Sequence, residues 1–163
     1  MNALGTGLLL NHFDLLSRGG VAREAAVLAF APLSITQVVA AVTLGPLVDR
    51  FIPHRLVVLP MTSMAFACAF VLAVDSTTGS FVYAMALGFA YGSFQAINAA
   101  VYAHYSGRQH AGEIRGVTFV ITIVGAALGP LPFGWAAVQG SYAPVLVVGA
   151  ALCVVAAASV ARS

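Results

Sequence analysis

The chain has 163 residues, of which 61% are hydrophobic and 7% charged, with a mean hydropathy of +0.98; a soluble domain devotes about a quarter of its residues to charge. That composition excludes an ordinary soluble fold, because too little polar surface remains to cover the core, and lipid must cover the rest. The net charge of +2 rests on dispersed Arg with no Lys, which excludes a nucleic-acid-binding face.

In chain order, the first element, 1–17, is helical in character but reaches at most about 25 Å at 1.5 Å per residue, with Asn11, His12 and Asp14 crowding its end. It reads as a helix lacking its beginning. Met1 to Leu10 holds no basic residue, so it lacks the charged region of a signal peptide. Five runs near the roughly 20 apolar residues that cross a bilayer follow, at about 25–47, 56–74, 80–103, 114–138 and 142–161. The expected fold is an all-α membrane protein of five full transmembrane helices plus a short N-terminal one. Cys68 and Cys153 each sit inside an apolar run, with neither metal-ligand spacing nor a disulfide framework around them. No metal or other cofactor is expected.

Charge separates the connections. Asp49, Arg50, His54 and Arg55 fill one; Asp75 with Ser and Thr the next; Arg108, His110, Glu113 and Arg115 another; and Gln139-Gly140-Ser141 forms an uncharged turn. The positive-inside rule places the Arg-rich loops and the C-terminus in the cytoplasm, with five Arg inside against two, Arg18 and Arg23, outside.

Two strings carry specific patterns. Gly45-Pro-Leu-Val-Asp49-Arg50-Phe-Ile-Pro-His-Arg55 links two spans. Gly45 there suits close helix approach, Asp49 accepts hydrogen bonds, and Arg50 and Arg55 hold the turn at the surface, so the cluster suits a breakable latch or, more simply, a positive loop. In the fourth full span, Thr118, Thr122, Gly125 and Gly129 recur at i, i+4, i+7 and i+11 as a stripe for a packing helix, and Pro130 and Pro132 bend the chain beyond it.

The first string resembles the loop signature of the major facilitator superfamily, with Ile52 or Pro53 where a second Gly is usual. Gly116, Gly125, Gly129-Pro130 and Phe133-Gly134 are similar to its Gly-Pro pattern. Tyr105-Ser-Gly-Arg108-Gln-His-Ala-Gly112-Glu113-Ile-Arg115-Gly116 and Thr6-Gly7-Leu-Leu-Leu-Asn-His12 resemble the tenth-to-eleventh connection and the seventh helix of bacterial monocarboxylate-type and oxalate/formate-type members. The resemblance implies helices seven, truncated, to twelve, the C-terminal half of a permease in a bacterial inner membrane; an N-terminal half is the alternative. It also implies a partner, an N-terminal six-helix half in the same or a separate chain.

In that superfamily the seventh and tenth helices line a central cavity, here the first element and the third full span. Independently, Gly88, Tyr91, Gln95, Asn98 and Tyr102 recur on one face of that span, and an unpaired amide in hydrocarbon is costly. Such a face belongs against water, a solute or a polar contact with another helix. Asn11 and His12 are the matching candidates on the first element, and a His there suits proton coupling or the headgroup layer. Gating falls to Gly45, Asp49, Arg50, Arg55, Arg108, Glu113 and Arg115, and helix packing to Gly116, Gly125, Gly129 and Pro130.

The expected function is secondary transport of a small organic solute, a monocarboxylate among the options, by rocking of two halves about a midplane site. A self-standing helical assembly module, or a non-functional permease fragment, is the alternative. An enzyme is not expected, since the chain holds no His-Glu-x-x-His, Gly-x-Ser-x-Gly, Cys-x-x-Cys or Walker loop.

Overall fold

The computed structural model of the chain describes residues 1–48, 56–105 and 107–162, and every element among them is helical. Lipid as solvent demands this, because a helix satisfies each backbone N–H and C=O within its own segment. Nine α-helices occur among the described residues: α1 (Asn2–Leu10), α2 (His12–Arg18), α3 (Arg23–Leu28), α4 (Phe30–Val48), α5 (Val58–Phe70), α6 (Thr77–Tyr105), α7 (Gly107–Leu128), α8 (Pro130–Val138) and α9 (Ala143–Ala161), with a 3-10 turn at Val71–Ala73. They form six runs. Arg23–Val48, Arg115–Val138 and Ala143–Ala161 are long and apolar enough to cross a membrane by length and composition. Helix α6, at 29 residues, is the longest single helix.

Local chemistry sets each break. The Asn11 side chain donates to the Gly7 carbonyl at 2.9 Å, and its backbone leaves the helical range between α1 and α2. Pro32 lacks the N–H that would bond back to Leu28, and the chain breaks at Ala29, between α3 and α4. Pro130 opens α8 after Gly129, as the sequence indicates. Two helix ends close on glycines of positive φ, Gly20 and Gly140. In each, the residue after the glycine and the glycine itself donate back to the last turn, Val21 to Leu16 and Gly20 to Ser17, Ser141 to Ala136 and Gly140 to Ala137. Those two turns and the 74–76 connection share one end of the bundle.

One boundary differs from expectation. Residues 107–113, read as a charged connection, begin α7 instead; the stretch contains no Pro and several good helix formers, so the helix extends into the polar region. Asp49, Arg50 and Arg55 lie outside the described residues. Arg108 and Glu113 fall in α7 by backbone, their side chains outside the description.

The runs pair in a regular pattern: α1 packs on α7 and α8, α4 on α6, and α5 on α9 and α6. Numbering the runs one to six, these contacts are 1 with 5, 2 with 4, 3 with 6 and 3 with 4. Exchanging runs one to three for four to six maps 1 with 5 onto 2 with 4 and 3 with 6 onto itself, as two three-helix repeats would, and maps 3 with 4 onto 6 with 1, a lighter contact made where Leu4 meets the Gly149 position. Glycines set the closest approaches. A methyl at Gly88 would strike the Leu33 carbonyl, and one at Gly92 the Gln37 carbonyl and Ala40, so α4 and α6 cross with backbones in contact. Gly129 is pressed against the Ala3 carbonyl, and Gly7 lies under Phe133. The Ser63 hydroxyl adds a 2.7 Å bond to the Ala86 carbonyl across α5 and α6.

The glycines of the expected packing stripe differ in their surroundings. Only Gly129 of that stripe's glycines makes a tight contact; at Gly125, Gly116 and Gly45 an added methyl would meet no described neighbour within 4 Å. Gly88, grouped with the polar face, is instead buried against α4.

Candidate functional site

A groove of about 430 Å³ opens between α1, α6 and α7. Helix α6 supplies Tyr91, Phe94, Gln95, Asn98 and Ala99, helix α7 supplies Arg115, Phe119 and Thr122, and α1 supplies Asn2. Two ladders of the same spacing line it: Tyr91, Gln95 and Asn98 at i, i+4 and i+7, and Arg115, Phe119 and Thr122 likewise. Gln95 is exposed and Asn98 half-buried, so both amides meet the open space rather than a neighbouring helix.

The wall is held from behind. The Tyr91 hydroxyl lies over Gly5, where a methyl would displace it. Glycine at position 5 therefore lets α1 approach α6 closely enough to seat the phenol. Tyr102 continues the α6 ladder by backbone register, its side chain lying outside the description. The groove brings together three amides, a phenol and a guanidinium on a partly apolar floor. That set can orient a small polar or anionic solute through hydrogen bonds and one charge. Among the described residues no group of three His, Cys, Asp or Glu is placed to hold a metal ion.

Of the residues predicted for the cavity, Tyr91, Gln95 and Asn98 meet there, while Asn11 and His12 do not line the groove. Asn11 turns back to Gly7 and accepts from the Tyr142 hydroxyl at 3.4 Å. Tyr142 also donates to the Asp14 carboxylate, which pairs with Arg18 at 3.0 Å. Arg18 reaches the Ala137 carbonyl at 3.2 Å, and its guanidinium lies 4.9 Å from the centre of the Tyr142 ring. This network ties α2 to the turn between α8 and α9. His12 is fully buried, with Nε2 3.0 Å from the Ala26 carbonyl and its ring against Phe13, Phe30 and Tyr83.

Sequence reasoning assigns Arg115 to a gating loop and passes over Asn2, Phe119 and Thr122 as cavity residues. The identical spacing of the two ladders is the available signal, since the expected span 114–138 already contains the second, but that the two faces meet is read only from the packing.

A search of curated proteins returned no match, and neither did one of solved structures. Against protein families, the profile described as Major Facilitator Superfamily matches residues 2–162, nearly the whole chain. The 1–5, 2–4 and 3–6 contacts fit a bundle built of two three-helix repeats. The chain belongs to the major facilitator superfamily, a family of secondary membrane transporters.

Proposed function

We propose that the chain forms the C-terminal half of a secondary active permease for a small organic solute, a monocarboxylate in particular, and that the groove between α1, α6 and α7 is its share of the solute site. The observation that carries this reading is the meeting of Arg115 with Gln95 and Asn98 in one groove. A carboxylate takes a charge-assisted bond from a guanidinium, and amides complete its remaining acceptor sites. A second six-helix half would supply the facing wall, and rocking of the halves would expose the site to each side in turn. Asp49, Arg50 and Arg55 serve as the cytoplasmic latch, with the C-terminus on that side of a bacterial inner membrane, as the Arg-bearing loops favour.

The test is uptake of labelled short-chain monocarboxylates into vesicles that carry the native polypeptide. Gln95→Leu and Asn98→Leu should each raise KM about tenfold, the loss of roughly 1.4 kcal/mol of hydrogen bonding, with insertion unchanged. Arg115→Gln should weaken carboxylates more than uncharged analogues of equal size. Normal uptake in both amide variants would remove the α6 face from the site, and equal loss for charged and neutral solutes would remove the carboxylate.

A further inference from the structure

The groove between α1, α6 and α7 holds more hydrogen-bonding capacity than a short carboxylate can use. Asn2, Gln95 and Asn98 bring three amides to its lining, Tyr91 and Thr122 two hydroxyls, and Arg115 a guanidinium. Elsewhere in the bundle polar side chains are satisfied locally: Asn11 bonds the Gly7 carbonyl, and Ser34, Thr43 and Thr62 each bond a carbonyl one turn back. Among the described residues no hydrogen bond to another protein group holds any of the three groove amides. An amide both donates and accepts, as an alcohol does, whereas a carboxylate only accepts. A plain short acid bound at Arg115 would leave most of these groups unpaired once a facing half excludes water, and unpaired polar groups are costly there.

The order of the groups along the groove narrows the solute further. Both ladders line one groove, so α7 doubles back along α6 and helical rise gives each residue its level. Measured from the end of α6 at Tyr105 and the start of α7 at Gly107, Asn98 and Arg115 stand at about 10–12 Å. Gln95 and Phe119 follow at about 15–18 Å, and Tyr91 and Thr122 at about 21–23 Å. One end of the groove therefore carries the charge, and about 10 Å of uncharged hydrogen-bonding surface, with the exposed Phe119 ring in its middle, continues from it. Among the described residues of the lining Arg115 is the one charged group. The volume of about 430 Å³ lies in the range that encloses ligands well beyond a two- or three-carbon acid.

We propose that the solute is a polyhydroxylated monocarboxylate of sugar size, held with its carboxylate at Arg115 and Asn98, its hydroxyls along Gln95, Asn2 and Thr122, and its C–H side against Phe119. This rests on the reading of the groove as a monocarboxylate site and adds the chemistry of the rest of the solute. A second carboxylate at the far end would meet no counter-charge among the described residues, and a neutral sugar would forgo the charge-assisted bond to Arg115.

The experiment compares uptake of gluconate, hexanoate, glucitol and glucarate, which share one chain length, into vesicles that carry the native polypeptide. The expected kcat/KM for gluconate exceeds that for hexanoate by about thirtyfold, as two or more added hydrogen bonds imply, and exceeds those for glucitol and glucarate by about tenfold. Thr122→Val, at the end far from Arg115, should lower the gluconate-to-hexanoate ratio about fivefold; Asn2→Ala, on a different helix, repeats the test should that variant fail to insert. Hexanoate taken up as well as gluconate, with Arg115→Gln still weakening both acids, overturns the polyhydroxylated solute and leaves the monocarboxylate reading standing. Glucitol matching gluconate removes the carboxylate from Arg115, and both readings fall. Glucarate matching gluconate reveals a second counter-charge in the site and overturns this proposal alone, as does a ratio that neither Thr122→Val nor Asn2→Ala moves.

Discussion

The contact between α4 and α6 gives the sharpest test of the packing. Gly88 and Gly92 stand four residues apart on α6, and a methyl at either would enter the space of a main-chain carbonyl on α4, at Leu33 and Gln37. Main-chain atoms cannot rotate aside, so Gly88→Ala or Gly92→Ala must push two helices apart. Overpacking of this kind costs about 1–3 kcal/mol, offset by roughly 0.5–1 kcal/mol from the better helix propensity of Ala. A net loss of about 0.5–2 kcal/mol per site lowers the melting temperature by roughly 1–8 °C for a chain of this size. The double variant should lose less than the sum, because the helix shift that accommodates one methyl relieves the other. Gly116→Ala and Gly125→Ala, where an added Cβ meets open space, should melt at the same temperature or slightly higher. The assay is thermal unfolding of the purified chain in detergent, followed by loss of a monodisperse peak. If Gly92→Ala and Gly125→Ala shift the melt equally, the close crossing of α4 and α6 is wrong.

Two further outcomes are expected. Tyr142→Phe removes the donor to Asp14 and Asn11 and should destabilise the turn by about 1 kcal/mol, a modest figure because Asp14 is half exposed. Faster amide exchange at Gly140 and Ser141, with groove binding unchanged, checks it, and unchanged exchange would show that the Arg18 contact to Ala137 alone holds that end. Asp49→Asn should shift the balance of inward-open and outward-open states, read by spin-label distances, more than it shifts solute affinity. Equal changes in both would argue against a latch.

Much of this arrangement is legible in the sequence because lipid leaves few choices. Apolar runs set the number of spans, Gly140 the last turn, Pro130 the break in the fifth run, and the spacing of Tyr91, Gln95 and Asn98 the polar face. What one sequence does not give is which face meets which neighbour. Gly125 and Gly92 are alike as letters, both small residues in apolar helices with another small residue four positions away, Gly129 and Gly88. Yet Gly92 is pressed on α4, the helix its own run pairs with, and at Gly125 an added methyl would meet no described neighbour within 4 Å. The same pairing explains His12 and Gln95. Each is a polar side chain in an apolar segment and each carries a similar desolvation cost. Run one packs on run five and turns His12 toward α3 and Tyr83, whereas the uncovered side of run four turns Gln95 toward the groove. Polarity marks both residues as costly to place in lipid; only the order in which the helices pack decides that one meets a neighbouring helix and the other faces the groove.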